Sequence, residues 1–336
     1  MINDIISIVI PVYNESNNIS NNIIKIINII KKKCVNFEII IIDDGSSDDS
    51  VIKITRLFEQ YPCIKLIELT KNFGKEAAIY SGLKESKGNA AIVIDSDLQH
   101  PPELMLEMLS CWKNGNYLID AVKRNRNDNS YLDKIFAKCF YYFYGKLSGL
   151  DISGYTDYKL LDRKIIDYYL SMPENFRFFR GMINWLGFEN KKNFFDVVKL
   201  PGRKSRWSKL NLIKYAINNI TSFTIIPLHI ITFLGVITMI VGLSLGLVSL
   251  FQKIHGEAIV GFTTVNILLI LIGGSVMTSL GIIGHYIGKI FVELKSRPIY
   301  IKKILKKEGE SDSEMVIFNS YSSGMQRRGS DINKII

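Results

Sequence analysis

The chain has 336 residues, 47% of them hydrophobic, and a formal net charge of +10 at pH 7, which is enough for one α/β domain and a further part. Its basic residues concentrate beside two long apolar runs, a placement that argues against a nucleic-acid partner and for an anionic lipid surface. Cys34, Cys63, Cys111 and Cys139 have neither metal-ligand nor redox-motif spacing and read as reduced thiols, not as a disulfide framework.

In chain order, Met1–Asp4 leads straight into a strand pattern with no basic n-region, so no signal peptide is expected and the apolar spans must direct insertion. Apolar runs at Ile5–Val12, Phe37–Ile42, Ile64–Leu69, Ala90–Ile94 and Tyr117–Val122 predict strands. They alternate with predicted helices over Asn18–Lys33, Asp48–Gln60, Lys75–Ser86 and Pro102–Asn114. This is the pattern of a mostly parallel, Rossmann-like sheet covered on both faces. Such sheets bind ligands outside the carboxyl ends of their strands. Tyr13 and Glu15, Asp43 and Asp44, and Asp95 and Asp97 are all placed at such ends.

The segment Ile94-Asp95-Ser96-Asp97-Leu98-Gln99-His100-Pro101-Pro102-Glu103 carries most information. Two carboxylates and an amide oxygen after a strand suit Mg²⁺ or Mn²⁺, which are commonly held by one or two carboxylates with substrate phosphate and water completing the shell. An ordinary solvated turn is the bland alternative for a bare D-x-D. Lys75 is placed either near a donor phosphate or at a solvated helix start. Asp43 to Asp48 also reads as a turn capped by Ser47 or Asp48.

Further on, an aromatic helix is predicted over Tyr131–Leu147. Asn175–Phe188 mixes aromatics with Arg177 and Arg180, as a membrane-interface segment would, and Trp207–Phe223 continues as an amphipathic helix. Ile225–Phe251 and Phe262–Ile287 are nearly free of charge, each long enough to cross a hydrocarbon core of ~30 Å. Lys and Arg flank this pair on its outer sides, while the loop between carries only Lys253. Both termini and the N-terminal domain are therefore expected on the cytoplasmic side. Gly242-x-x-x-Gly246 and Gly284-x-x-x-Gly288 allow close helix approach. After Ile304 the chain turns polar and reads as a disordered tail.

Val9 to Glu15 (V-I-P-V-Y-N-E), Ile41 to Asp48 (I-I-D-D-G-S-S-D), Lys71 to Ala78 (K-N-F-G-K-E-A-A), the D-S-D-L-Q-H-P-P-E string and Thr156 to Arg163 (T-D-Y-K-L-L-D-R) together resemble family 2 glycosyltransferases. The resemblance is to the branch that loads one sugar onto a polyprenyl phosphate, from about Ile5 to about Tyr300. It implies a GT-A domain at 1–170, interface segments with amphipathic helices at 171–224, two transmembrane helices at 225–291 and a basic segment with a cytoplasmic tail at 292–336. It implies a nucleotide-sugar site at Pro11, Tyr13, Glu15, Asp43, Asp44, Lys75 and Ser96, a metal site at Asp95, Asp97 and Gln99, and Asp157 as base or acceptor-orienting group.

The partners implied are a UDP-sugar, with UDP-glucose the adopted donor, undecaprenyl phosphate as acceptor, the inner membrane, and a homo-oligomer such as a tetramer. The acceptor needs positive charge more than a base, because a phosphomonoester with a second pKa of ~6 is already a dianion at neutral pH. Arg124, Arg126, Lys134, Arg203, Ser205 and Arg206 are the candidate lipid-phosphate ligands. The string Gly202-Arg203-Lys204-Ser205-Arg206-Trp207 departs from the family's Gly-x-Ser pattern by one residue. A processive polysaccharide synthase is disfavoured by the missing Gln before Arg203-x-x-Arg206-Trp207 and by having only two spans. A non-catalytic scaffold is disfavoured by intact Asp95, Asp97 and Asp157.

Overall fold

A computed structural model of the protein describes residues 2–123, 155–195, 226–255, 262–295 and 297–303. They fall into two compact units, one with residues 2–123, 155–195 and 297–303, the other with 226–255 and 262–295.

The first unit is built on a seven-stranded sheet. Its strands are β1 (Ile6–Val12), β2 (Phe37–Asp43), β3 (Ile64–Glu68), β4 (Ala90–Val93), β5 (Leu118–Lys123), β6 (Tyr155–Asp162) and β7 (Asn190–Phe195), in the order β3-β2-β1-β4-β6-β5-β7. β6 runs antiparallel to both its neighbours, and every other pairing is parallel. This is the mixed α/β, mostly parallel sheet that the alternating pattern predicts. All seven residues of β1 and the last five of β2 are buried, which is why these strands read as unbroken apolar runs. The helices of this unit are α1 (Ile19–Ile30), α2 (Ser50–Thr55), α3 (Lys75–Glu85), α4 (Leu104–Lys113), α5 (Arg163–Ser171) and α6 (Phe179–Trp185). In α1 the isoleucines at 19, 23, 26, 27 and 30 share one buried stripe.

Two strands differ from the sequence expectation. No strand is expected over the T-D-Y-K-L-L-D-R motif, and the helix after it begins only at Arg163, capped by Asp162, whose Oδ1 accepts from the Lys164 N–H at 3.0 Å. Tyr155–Asp162 is instead a strand between β4 and β5. It carries Tyr158 and Leu160 to one face and Lys159 and Leu161 to the other, all buried. Lys159 is tolerated because it stands directly across from Asp120 and pairs with it, both side chains fully enclosed. β7 has no sequence expectation at all; it lies at the sheet edge, where exposed Lys192 and Phe194 alternate with buried Asn193 and Phe195.

The second unit holds two long helices in contact, α7 (Ile226–Ile254) and α8 (Phe262–Leu294). Among the described residues, one stretch, Ile272–Leu294, is long and apolar enough to cross a membrane, and Ile231–Gly242 is a shorter apolar stretch. Arg297–Lys303 belongs again to the first unit. The Thr70 N–H donates to Ile301 O at 2.9 Å and the Lys303 N–H to Glu68 O at 2.8 Å, extending the β3 edge antiparallel. Lys302 pairs with Glu85, and Lys303 with Glu68 at 3.2 Å. The expected aromatic helix at 131–147, the amphipathic segment at 207–223, the tail after 304 and Cys139 lie outside the described residues. Cys34, Cys63 and Cys111 are free thiols.

Removing one member of a buried pair leaves the other charge uncompensated, at about 3–5 kcal/mol. Lys159→Met should therefore destabilise the sheet domain by roughly that amount, read by denaturant unfolding of the purified protein. A loss well under about 1 kcal/mol would show that Asp120 is served by Asn190, which also donates to it.

Candidate active site

Three loops meet at the carboxyl edge of β1, β2 and β4. The first two are laced together. Asn14 is held at φ 52°, its N–H donates to Ser46 Oγ at 2.9 Å and its Oδ1 accepts from the Ser47 N–H at 2.9 Å. Asp48 accepts from the Ser16 and Ser50 N–H groups, each at 3.0 Å. What burial Asp48 has raises its pKa, but these bonds outweigh that and hold it at about 2. Asp48 therefore ties the loops together just ahead of α2, whose N-cap is Asp49 and not the expected Ser47 or Asp48.

Asp44 is nearly fully buried, and its oxygens accept from the Phe73 N–H at 2.7 Å and the Gly74 N–H at 2.9 Å. Burial pushes its pKa up and the two amides moderate the rise. Its neighbour Asp43 accepts from the Ser46 N–H at 3.0 Å through Oδ2, while Oδ1 is buried without a hydrogen-bond partner. Gly45 sits at φ +71°, and a Cβ there would lie 2.4 Å from the Lys71 carbonyl carbon. Only glycine lets the two loops approach so closely. Pro11 is buried in β1, Tyr13 is exposed and Glu15 half-buried beyond its end.

The Asp44 clamp places α3 so that Lys75, its first residue, enters the crevice. Lys75 Nζ lies 2.5 Å from Asp95 Oδ1 and 2.7 Å from Asp157 Oδ2. The two carboxylates share a cation because β4 and β6 pair antiparallel with Val93 opposite Lys159. That register, continued two residues, sets Asp95 across from Asp157. From α6, Arg180 closes the other side of Asp157, with Nε donating to Oδ1 at 2.5 Å and Nη2 to Oδ2 at 3.0 Å. Burial raises the Asp157 pKa, yet Lys75 and Arg180 together hold it well below the usual carboxylate range. Burial likewise disfavours the Lys75 charge, and Asp157 and Asp95 more than restore it.

Glu76, next along α3, accepts from the Phe179 N–H at 2.8 Å and so fixes the start of α6. Burial, and then the Asp157 charge, push its pKa up to about 7. Neither Glu76 nor Arg180 was identified from the sequence as a site residue. Arg180 and Arg177 read there as basic tips at a membrane interface, and the structure gives both other surroundings. Arg177 is buried, donating to Tyr169 O at 3.1 Å and Met172 O at 2.6 Å with its guanidinium 3.9 Å from the Tyr80 ring centre.

On the D-x-D loop, Leu98 adopts φ 50°, Asp97 Oδ1 accepts from the Gln99 N–H at 3.1 Å, and the buried Ser96 offers its carbonyl to Asn22 Nδ2 at 2.8 Å. His100 is buried with its ring 5.1 Å from that of Phe195 and 5.8 Å from that of Tyr158. Its Nδ1 lies 3.8 Å from Asp95. Burial lowers its pKa despite that carboxylate. Among the described residues no three His, Cys, Asp or Glu side chains are grouped to cage a metal alone. Asp95, Asp97 and Gln99 supply hard oxygens from one short loop, a set suited to Mg²⁺ or Mn²⁺ shared with a diphosphate. The residues fit such an ion only together with substrate. Arg124, Arg126, Lys134, Arg203, Ser205 and Arg206 lie outside the described residues.

A sequence profile of glycosyl transferase family 2 matches residues 7–188. The putative glycosyltransferase CsbB of Bacillus subtilis is 35% identical over 307 residues, covering 89% of this chain and 91% of its own. A prophage bactoprenol glucosyl transferase homolog of Escherichia coli is 31% identical over 306 residues, covering 90% and 99%. A solved structure of glucosyl-3-phosphoglycerate synthase from Mycobacterium tuberculosis, with Mn²⁺, UDP-glucose and phosphoglyceric acid, covers 66% of this chain and 78% of its own at 17% identity with a TM-score of 0.47. That likeness is too loose to transfer any residue's role.

Glu76 offers a test of the electrostatics. A carboxyl whose folded pKa stands at about 7, above the unfolded value of ~4.3, contributes stability fully below ~4.3 and loses it as pH rises through the folded value. Between pH 5 and 8 the wild type should thus lose stability relative to Glu76→Gln by on the order of 1–2 kcal/mol, measured as thermal unfolding against pH. Parallel curves would mean that Glu76 does not titrate in this window.

Proposed function

From the premise that the chain belongs to glycosyl transferase family 2, we propose that it transfers one sugar from a nucleotide-sugar donor, UDP-glucose, to undecaprenyl phosphate at the cytoplasmic face of the membrane. The observation that carries this reading is Lys75 joining Asp95 to Asp157, since it unites the D-x-D loop and the T-D-Y-K motif in one crevice. The bactoprenol glucosyl transferase homolog, matched over 99% of its length, supports a polyprenyl phosphate acceptor.

The acceptor's second ionisation, with a pKa of ~6, makes it a dianion and a competent nucleophile. One of its oxygens bonds to the anomeric carbon as the bond from that carbon to the donor's diphosphate oxygen breaks, and the nucleoside diphosphate leaves. A single displacement inverts the centre, so an α-linked donor gives a β-linked lipid product. No proton need be removed, and Asp157, held anionic well below neutrality, orients Lys75 and Arg180 in place of acting as a base. Asp95, Asp97 and Gln99 would hold Mg²⁺ or Mn²⁺ with the diphosphate, and the ion would offset charge on the leaving group. Pro11, Tyr13, Glu15, Asp43, Asp44 and Ser96 line the nucleotide side. Asp44 acts there through the Phe73–Gly74 backbone it grips, and Asp43 offers its unpaired oxygen.

For the membrane we read α7 and α8 as a hairpin crossing twice. The return of Arg297–Lys303 to the β3 edge supports an even number of crossings. A homo-oligomer, up to a tetramer, is proposed through the helices.

The test is transfer from a panel of labelled UDP- and GDP-sugars to undecaprenyl phosphate in membranes, with EDTA, Mg²⁺ or Mn²⁺, beside Asp157→Asn. A metal-dependent glycolipid from UDP-glucose is expected, reduced roughly 10²-fold or more in the variant, as loss of reactant orientation predicts. Folded protein that yields glycolipid from no donor would overturn the proposal.

A further inference from the structure

We infer that Arg180 is a ligand of the acceptor phosphate, held in place for that task by Asp157 and Glu76. The inference rests on the proposed transfer reaction and names a group in it that the sequence motifs leave unassigned.

The argument begins with accessibility. The side chains of Lys75 and Arg180 are 41% and 30% exposed, whereas that of Asp157 is only 8% exposed beneath them. An anion entering the crevice therefore meets two cations before it meets the carboxylate. A buried carboxylate covered in this way is poorly placed to take a proton from a substrate and well placed to hold its covering cations.

The two cations have different neighbours. Lys75 spans Asp95 and Asp157, so it stands on the side of the D-x-D loop, where the donor diphosphate is proposed to lie. Arg180 approaches Asp157 from α6, and its Nε and Nη2 edge is docked on both carboxylate oxygens. A guanidinium is a planar fork, so docking one edge on Asp157 fixes the plane of the whole group. Its backbone position is fixed independently, because the preceding residue donates its N–H to Glu76 at 2.8 Å. Glu76 and Lys75 are consecutive residues of α3, so one helix start sets the spacing between both cations. Asp157 Oδ2 accepts from both Lys75 Nζ and Arg180 Nη2, so a phosphate held by Arg180 would lie next to a donor diphosphate held by Lys75, the proximity of the two reactants that direct displacement requires.

The experiment compares wild type, Arg180→Lys and Arg180→Ala in full-length protein, varying undecaprenyl phosphate and UDP-glucose separately, with UDP affinity in the presence of Mn²⁺ as a second readout. The expected result is an acceptor KM raised about 10- to 100-fold in Arg180→Ala, the scale of a lost charge-assisted contact, with partial recovery in Arg180→Lys. Donor KM and UDP affinity should stay within about threefold, which also shows that the variants are folded. An acceptor KM that does not move, or a donor KM and UDP affinity that worsen as much as the acceptor KM, would overturn the assignment. Absence of glycolipid from the wild type would instead reject the transfer reaction itself. Glu76→Ala, which frees the start of α6 without touching substrate, should raise acceptor KM in the same direction, and an effect on donor KM alone would count against the positioning role.

Discussion

A single ammonium group, Lys75 Nζ, sits between carboxylates from two antiparallel strands, Asp95 after β4 and Asp157 in β6. Without it, the β4–β6 register would bring two anions together at the mouth of the sheet, one of them almost wholly removed from water. The sheet domain is arranged to put that ammonium there. Asp44 grips the Phe73 and Gly74 amides, Gly45 lets the Lys71–Asn72 backbone pass within what would be Cβ contact, and α3 then starts at Lys75. Residues of the D-D-G motif thus act on chemistry two loops away through backbone placement.

Charge balance explains why the neighbouring carboxyl behaves differently. Asp157 has both Lys75 and Arg180 against it and remains anionic, while Glu76 adds a further carboxyl to a cluster already balanced. Burial and the Asp157 charge accordingly push Glu76 up to about 7. Two carboxyls on one small network are driven in opposite directions because one lies between the cations and the other is set behind them against a backbone amide. The same reasoning separates Arg180 from Arg177. The first faces the crevice on a carboxylate, whereas the second is enclosed, its charge met by two carbonyl oxygens and the faces of Tyr80 and Tyr169.

The parallel core was readable because both faces of its strands are covered, leaving apolar runs separated by amphipathic helices. The antiparallel β6 was not, since Thr156-Asp157-Tyr158-Lys159 looks like a polar lead into the following helix. Nothing local reveals that Lys159 will find Asp120 on a strand nearly forty residues earlier. β7 escapes for the opposite reason, because an edge strand that opens Asn-Lys-Lys-Asn and buries only Asn193 and Phe195 has too few apolar positions to stand out. At the site, the spacing of Asp95, Asp97 and Asp157 within recurrent motifs made them visible. Arg180 was hidden because its meaning depends on α6 folding back over β6. In sequence, an arginine among phenylalanines reads equally well as a membrane-surface residue.

The segment after α8 bears on how the basic residues should be counted. Lys302 and Lys303 read in the sequence as headgroup-seeking cations, but they pair with Glu85 and Glu68 on the sheet domain, so their charge is largely met by protein. Their contribution to orientation is of another kind. Because Ile301 and Lys303 hydrogen-bond to the β3 edge, the chain that leaves the sheet domain before α7 must come back to it after α8. Under the proposed membrane reading, such a return goes with an even number of crossings in the intervening chain, which is why α7 is proposed there as the partner of Ile272–Leu294. The backbone pairing is thus a separate kind of support for that proposal from a tally of lysines, since it rests on hydrogen bonds within the sheet domain and not on the lipids beside them.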